Sequence, residues 1–161
     1  MNVKTTTGES VEQPTKACMG QRMAAYVGRQ NDDGSVTAIY VHHNGSLADT
    51  GCILPRFYEG REKSDSLMDL GNLGFLGATP ETSEAYGRDH DLDGEGAVIY
   101  RNATAFERSA QVYAQRYGEH CHAYLQRRSG EWHIAWGYGK NGSIRWPRLA
   151  NFLKRSLWMG L

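Results

Sequence analysis

The feature that most narrows the fold is a pair of short apolar runs on either side of Asn31-Asp32-Asp33-Gly34. Residues 21–29 read as a strand, with Met23, Ala25 and Val27 on one face and Ala24 and Tyr26 on the other. Residues 36–42 read as its return, since Val36, Ile39, Tyr40 and Val41 are the side-chain types that suit a pleated, half-buried surface. Two such runs across Asp-Gly predict a β-hairpin. A second hairpin is expected from residues 120–126 and 131–137 across Arg128-Ser129-Gly130. A lone strand is expected over residues 97–101.

Helical patterns fill the interval. Residues 50–58 predict a helix or bent segment interrupted by Pro55, after a start that Ser46 or Asp49 can cap. Residues 61–70 predict a helix with Leu67, Met68 and Leu70 inward and Gly71 as its stop. Residues 79–88 are expected to be helical, with Pro80 in the first turn. Thr104 is expected to cap a helix to residue 117 that sets Phe106, Ala110, Tyr113 and Ala114 or Tyr117 on one stripe. Residues 147–157 predict a last helix with Leu149, Phe152, Leu153 and Leu157 on one face. The glycine-punctuated residues 70–77 are expected to be a loop that packs Leu73, Phe75 and Leu76 under the sheet; they lack the spacing of a phosphate loop. Hairpins at both ends without regular βαβ alternation predict the α+β class, an antiparallel or mixed sheet of about five strands with helices packed on it. Residues 1–18 lack periodicity and read as a flexible leader, and residues 19–161 as a single domain.

Composition narrows function by exclusion. Lys+Arg and Asp+Glu number 18 each, so the chain shows neither the basic excess of a general nucleic-acid binder nor the acidic excess of a DNA mimic. Three cysteines without a Cys-x-x-Cys pair suggest free thiols in a reducing cytoplasm, not a disulfide framework or zinc knuckle. No apolar run of membrane-spanning length is present, so no membrane partner is expected. Asp89-His90-Asp91-Leu92-Asp93-Gly94 begins like a calcium loop, but Tyr100 stands where a bidentate Glu is required, so a solvated acidic turn is expected. Neither a metal nor another cofactor is expected.

The densest polar cluster is His42-His43-Asn44 at the end of the second strand. Adjacent strand residues point to opposite faces, so the two histidines are not expected to share a ligand. Arg88 beside Asp89 suggests an ion pair or an anion contact. One arrangement gathers Arg22, His42, Asn44, Arg88 and Asp89 into a polar pocket around His42 and Arg88, which would serve a small ligand or an enzymatic reaction. His43 is the residue most expected to face a partner. Lys140, Arg145, Arg148, Lys154 and Arg155, with Trp146 and Trp158 among them, form a basic and aromatic C-terminal face of the kind that can hold nucleic acid.

Several separated motifs resemble a known family. Gly20-Gln21-Arg22-Met23, Asp33-Gly34-Ser35, Ile39-Tyr40-Val41-His42-His43-Asn44-Gly45, Gly51, Phe57-Tyr58, Leu70-Gly71-Asn72-Leu73 and Ala85-Tyr86-Gly87-Arg88-Asp89 are similar to a family of small proteins of unknown function from bacteriophages, prophages and plasmids. Its members carry Ile-Tyr-Cys-His-Trp-Asp-Gly-Tyr-Pro, then Leu-Gly-Asp-Leu-Ser, then Tyr-Gly-Arg-Asp. The resemblance covers roughly residues 19–136, and the departures are Val41, His43, Asn44 and Ser46. It implies a mobile genetic element as the setting and the bacterial host cytoplasm as the location. It also implies a host protein as partner, as for inhibitors of restriction or CRISPR defence. The resemblance implies no activity, and an accessory binding protein is expected ahead of an enzyme.

Overall fold

A computed structural model of the chain describes residues 22–117, 121–138 and 144–158. The strands are β1 (Ala24–Gln30), β2 (Val36–Val41), β3 (Leu73–Phe75), β4 (Glu84–Ala85), β5 (Val98–Tyr100), β6 (Cys121–Gln126), β7 (Trp132–Ile134), β8 (Trp136–Tyr138) and β9 (Ile144–Arg145). The helices are α1 (Thr50–Phe57), α2 (Arg61–Asp69), α3 (Tyr86–His90), α4 (Ala103–Tyr117) and α5 (Leu149–Trp158). The fold is α+β, built on a mixed seven-stranded sheet of order β4-β3-β2-β1-β6-β7, with β5 also pairing to β2; β8 and β9 make a separate ribbon.

Both expected hairpins form. β1 and β2 pair antiparallel across residues 31–35, where Asp33 accepts hydrogen bonds from the Ser35 amide and hydroxyl. β6 and β7 pair antiparallel, and β1 joins β6 in parallel. This central pair makes the sheet mixed. Along β1, Ala25 and Val27 face a core shared with Ile39, Val41, Leu54, Tyr58, Leu67, Tyr124 and Leu149. On the opposite face α4 covers a smaller core of Val36, Ala38, Phe106, Ala110, Ala123 and Leu125. Gly28 permits that approach, because a Cβ there would lie 2.6 Å from Val36 Cγ1 and 2.9 Å from Phe106 Cζ. Phe106 is fully buried, and side chains of this size contribute about 1.5–3 kcal/mol each on leaving water.

Four local expectations are corrected. The sheet exceeds five strands because the glycine-punctuated segment pairs: Leu73 joins Val41 and Ala85, making β3 and β4. Leu73 and Leu76 are buried as expected, but Phe75 is exposed. Residues 79–82 are a turn and not a helix, because the Thr79 and Thr82 hydroxyls bond each other and the backbone amides across it; helix begins only at Tyr86. Asn102, not Thr104, caps α4, its Oδ1 accepting the Ala105 N–H at 2.8 Å. No helix among the described residues is long and apolar enough to cross a membrane.

Candidate functional site

β2 lends one edge to two partners, β5 along Val36–Ala38 and β3 at Val41. Asn72 bridges the gap between them. Its Oδ1 accepts the Tyr40 N–H at 2.8 Å, its N–H donates to Glu95 O at 2.7 Å, and its Nδ2 donates to Glu95 Oε1 at 3.2 Å. Gly71, with φ +74°, brings the chain so close to the Glu95 carbonyl that a Cβ would collide with it. The loop 91–97 is thereby held against β2 as a rim facing α4.

The space between that rim and α4 is an open groove of about 1190 Å³. Tyr26, Tyr40 and His42 supply its floor, Val98 and Tyr100 come from β5, and Tyr86, Leu92 and Glu95 line the rim. The opposite wall is a second stripe of α4, including Arg108, Val112, Tyr113 and Arg116, with Tyr117 at its end. Helical spacing of three and four residues puts these side chains on one face. Tyr26, Tyr40 and Tyr113 pack ring to ring at 5.4–6.4 Å, and Tyr113 meets Tyr117 at 4.7 Å.

Hydrogen bonds order the floor. The Tyr40 hydroxyl donates to Tyr113 Oη at 3.0 Å and lies 2.8 Å from His42 Nδ1. A phenol has one proton, so with that proton directed at Tyr113 the His42 Nδ1–H is the donor to Tyr40. Burial pushes the Tyr26 phenol up to about 12, and burial followed by the bond to Tyr113 pushes Tyr40 higher still. Both phenols are neutral near pH 7. The Glu95 carboxylate is engaged by Asn72. The floor therefore offers hydrogen-bond donors, aromatic faces and, in the neutral His42 ring, the acceptor nitrogen Nε2.

The five expected binding residues divide. Of His42, His43, Asn44, Arg88 and Asp89, His42 alone lines the groove. The strand ends at Val41, so the two histidines do not point to opposite faces: their rings lie 4.4 Å apart, and His43 stacks on Phe75 at 4.9 Å. Partial burial, then the neighbouring His42 and Arg22, lowers the His43 pKa. Asn44 clasps backbone, its Nδ2 donating to Leu76 O and its Oδ1 accepting the Leu76 N–H, both at 2.9 Å. Arg88 and Asp89 form an ion pair at 2.8 Å that ties down the β4 turn. Arg88 donates to Pro80 O and Ser83 O, while Asp89 Oδ2 accepts the Ala85 N–H at 2.9 Å. Asn44, Arg88 and Asp89 are thus engaged with backbone and do not line the groove that His42 lines.

The C-terminal basic face is also altered. Arg145, Arg148, Lys154 and Arg155 are exposed, and Arg148 pairs with Glu131 at 3.0 Å. Lys140 lies outside the described residues. Trp146 donates to Glu107 at 2.6 Å, stacks on Phe106 and lies under Arg127, so its ring is unavailable to a base. Among the described residues no group of three or more His, Cys, Asp or Glu side chains could hold a metal.

Sequence reasoning passed over the groove itself. Six of the nine tyrosines line it, and that enrichment was the available signal. Comparison with protein-family models, with curated proteins and with solved structures finds no match.

Proposed function

We propose that this chain is a non-enzymatic accessory protein of a phage or other mobile genetic element that binds a host protein through the tyrosine groove, acting as an inhibitor of a bacterial defence system. The observation that carries the binding reading is the groove lined by six tyrosines, with Leu92, Val98, Val112 and Tyr117 each about half exposed. Tyrosine and arginine on an open surface are the side chains that anchor protein partners, and apolar patches left uncovered mark such sites. The mobile-element setting and the defence target rest on the motif resemblance alone. Nucleic acid is disfavoured at the groove, because Glu95 lines one rim and the exposed Asp91 and Asp93 flank its Leu92 in sequence, where they would repel a phosphate backbone.

The test is capture from a bacterial host lysate by the full chain beside Val112→Glu and Tyr113→Ala variants, read by mass spectrometry. A host protein retained by the parent and lost from both variants is expected. An identical captured set from all three would overturn the groove as the binding surface. Phage plating on a host with an active restriction or CRISPR system reads the defence claim, and unchanged plating across a panel of such systems would remove it.

A further inference from the structure

The two sides of the groove carry opposite charge: Arg108 and Arg116 line one, Glu95 lines the other, and the exposed Asp91 and Asp93 flank the lining Leu92 in sequence. On α4, Val112 stands midway between Arg108 and Arg116, which are about 12 Å apart at the helical rise of about 1.5 Å per residue. On the facing rim, Leu92 stands between Asp91 and Asp93. All six side chains are exposed. Among the described residues, neither arginine makes a hydrogen bond or a salt bridge, and neither aspartate is ion-paired. Each rim thus sets an apolar side chain between two charges of one sign, and among the described residues no salt bridge joins the two rims.

A second copy supplies the missing match. A twofold axis running along the groove turns each acidic rim over the partner's arginine wall, and sets Leu92 of each copy against Val112 of the other. An axis across the groove would set acid on acid, so charge selects one orientation. We propose that the chain associates with itself face to face through this groove, as a twofold dimer in which the Asp91-Leu92-Asp93 rim of each copy seats on Arg108, Val112 and Arg116 of the other. Such a contact is isologous and closes at two copies. Four of the seven large apolar side chains left exposed in the described residues would be covered by it. The dimer occludes the surface proposed for the host protein, so partner and second copy compete for one site. The self-association does not depend on that partner's existence.

Charge reversal with purified full chain tests it, with mass read by light scattering or sedimentation over a wide concentration range. Two variants are made, Arg108→Glu with Arg116→Glu, and Asp91→Asn with Asp93→Arg. Asn is chosen at position 91 because Asp91 has φ 53°, a conformation Asn tolerates. Circular dichroism and melting confirm that both fold. The parent is expected to dimerise, and to dissociate with rising salt as the screening length falls from roughly 10 Å at 0.1 M toward 3 Å at 1 M. Each variant alone is expected to be monomeric, since like rims then face each other. An equimolar mixture of the two is expected to recover the dimer, because both contacts become complementary again. A parent that stays monomeric at its solubility limit overturns the proposal. So does a variant that still dimerises alone, or a mixture that stays monomeric. None of these outcomes bears on host capture, which is read separately with Val112→Glu and Tyr113→Ala.

Discussion

Replacing Asn44 by alanine isolates one structural clasp. Its amide satisfies both backbone polar groups of Leu76, at 2.9 Å each, and Leu76 is only 2% exposed. Truncation leaves a buried N–H and a buried C=O without that partner. A buried group left unsatisfied costs about 1–3 kcal/mol, so the loss is about 2–4 kcal/mol when water reaches one of the two. With a urea slope of about 2 kcal/mol/M, the unfolding midpoint should fall by about 1–2 M. Asn44→Asp is the control. Its carboxylate still accepts the Leu76 N–H but faces the Leu76 carbonyl without a proton to give. Protonation restores the donor, so the folded-state pKa of that new carboxyl lies above its unfolded value. The stabilising contribution is then complete below the unfolded pKa and disappears as pH rises through the folded pKa. Urea unfolding of parent, Asn44→Ala and Asn44→Asp across acidic and neutral pH reads all of this. A midpoint for Asn44→Ala within roughly 0.3 M of the parent would refute the reasoning, as would an Asn44→Asp variant whose stability relative to the parent ignores pH.

Three further outcomes are expected. Gly28→Ala should destabilise by about 1–3 kcal/mol, because its Cβ overlaps Val36 and Phe106; an unchanged melting temperature would show that α4 can back away freely. Asp49 is half-buried, and burial raises its carboxyl pKa against the opposing bond from Ser46, so its favourable contribution exists in acid and is lost as pH rises through the folded value. Asp49→Asn should therefore gain stability at neutral pH relative to the parent and not in acid, and a loss at neutral pH measured by thermal unfolding would contradict this. The Arg88 guanidinium, then the Ala85 N–H, holds the Asp89 carboxyl down at about 2, so its contribution is present above the ordinary carboxylate range and fades only as pH falls toward that value. In Arg88→Ala, an NMR titration should find that carboxyl moved back toward the usual range, and an unmoved value would discard the clasp.

The sequence legible before any coordinates was the part written in short-range pattern. Asp-Gly between alternating runs specified the first hairpin, and the stripe of Phe106 and Ala110 specified α4 and its buried side. What escaped depended on contacts distant along the chain. β3 and β4 are too short to show alternation, and they exist because Leu73 finds Val41 and Ala85. Thr79 and Thr82 carry a turn in hydroxyl bonds that imitate a helix start with Pro80 in place. His42 reads as a site residue and does line the groove, whereas Tyr40 and Tyr113 read as sheet and helix residues and Asn72 only as part of a motif, yet all three line it too. A tyrosine at a strand or helix position reads as core until its neighbours leave one side of it open. Asn44 and Arg88 were conspicuous because polar residues at element ends are conspicuous, and both are engaged in holding backbone.

The parallel pairing of β1 with β6 has a consequence for how the chain reaches this state. It joins Ala24 to Cys121, residues about a hundred apart, and such distant closures slow folding because chain entropy is lost before contacts return it. The two hairpins are local and can form early, each on its own. During synthesis the first hairpin is complete long before residue 121 exists, and until then the outer edge of β1 has no strand to meet. Ala24–Gln30 thus passes through a period as an open template, and whatever shields it then has a hand in whether the nascent chain folds or sticks.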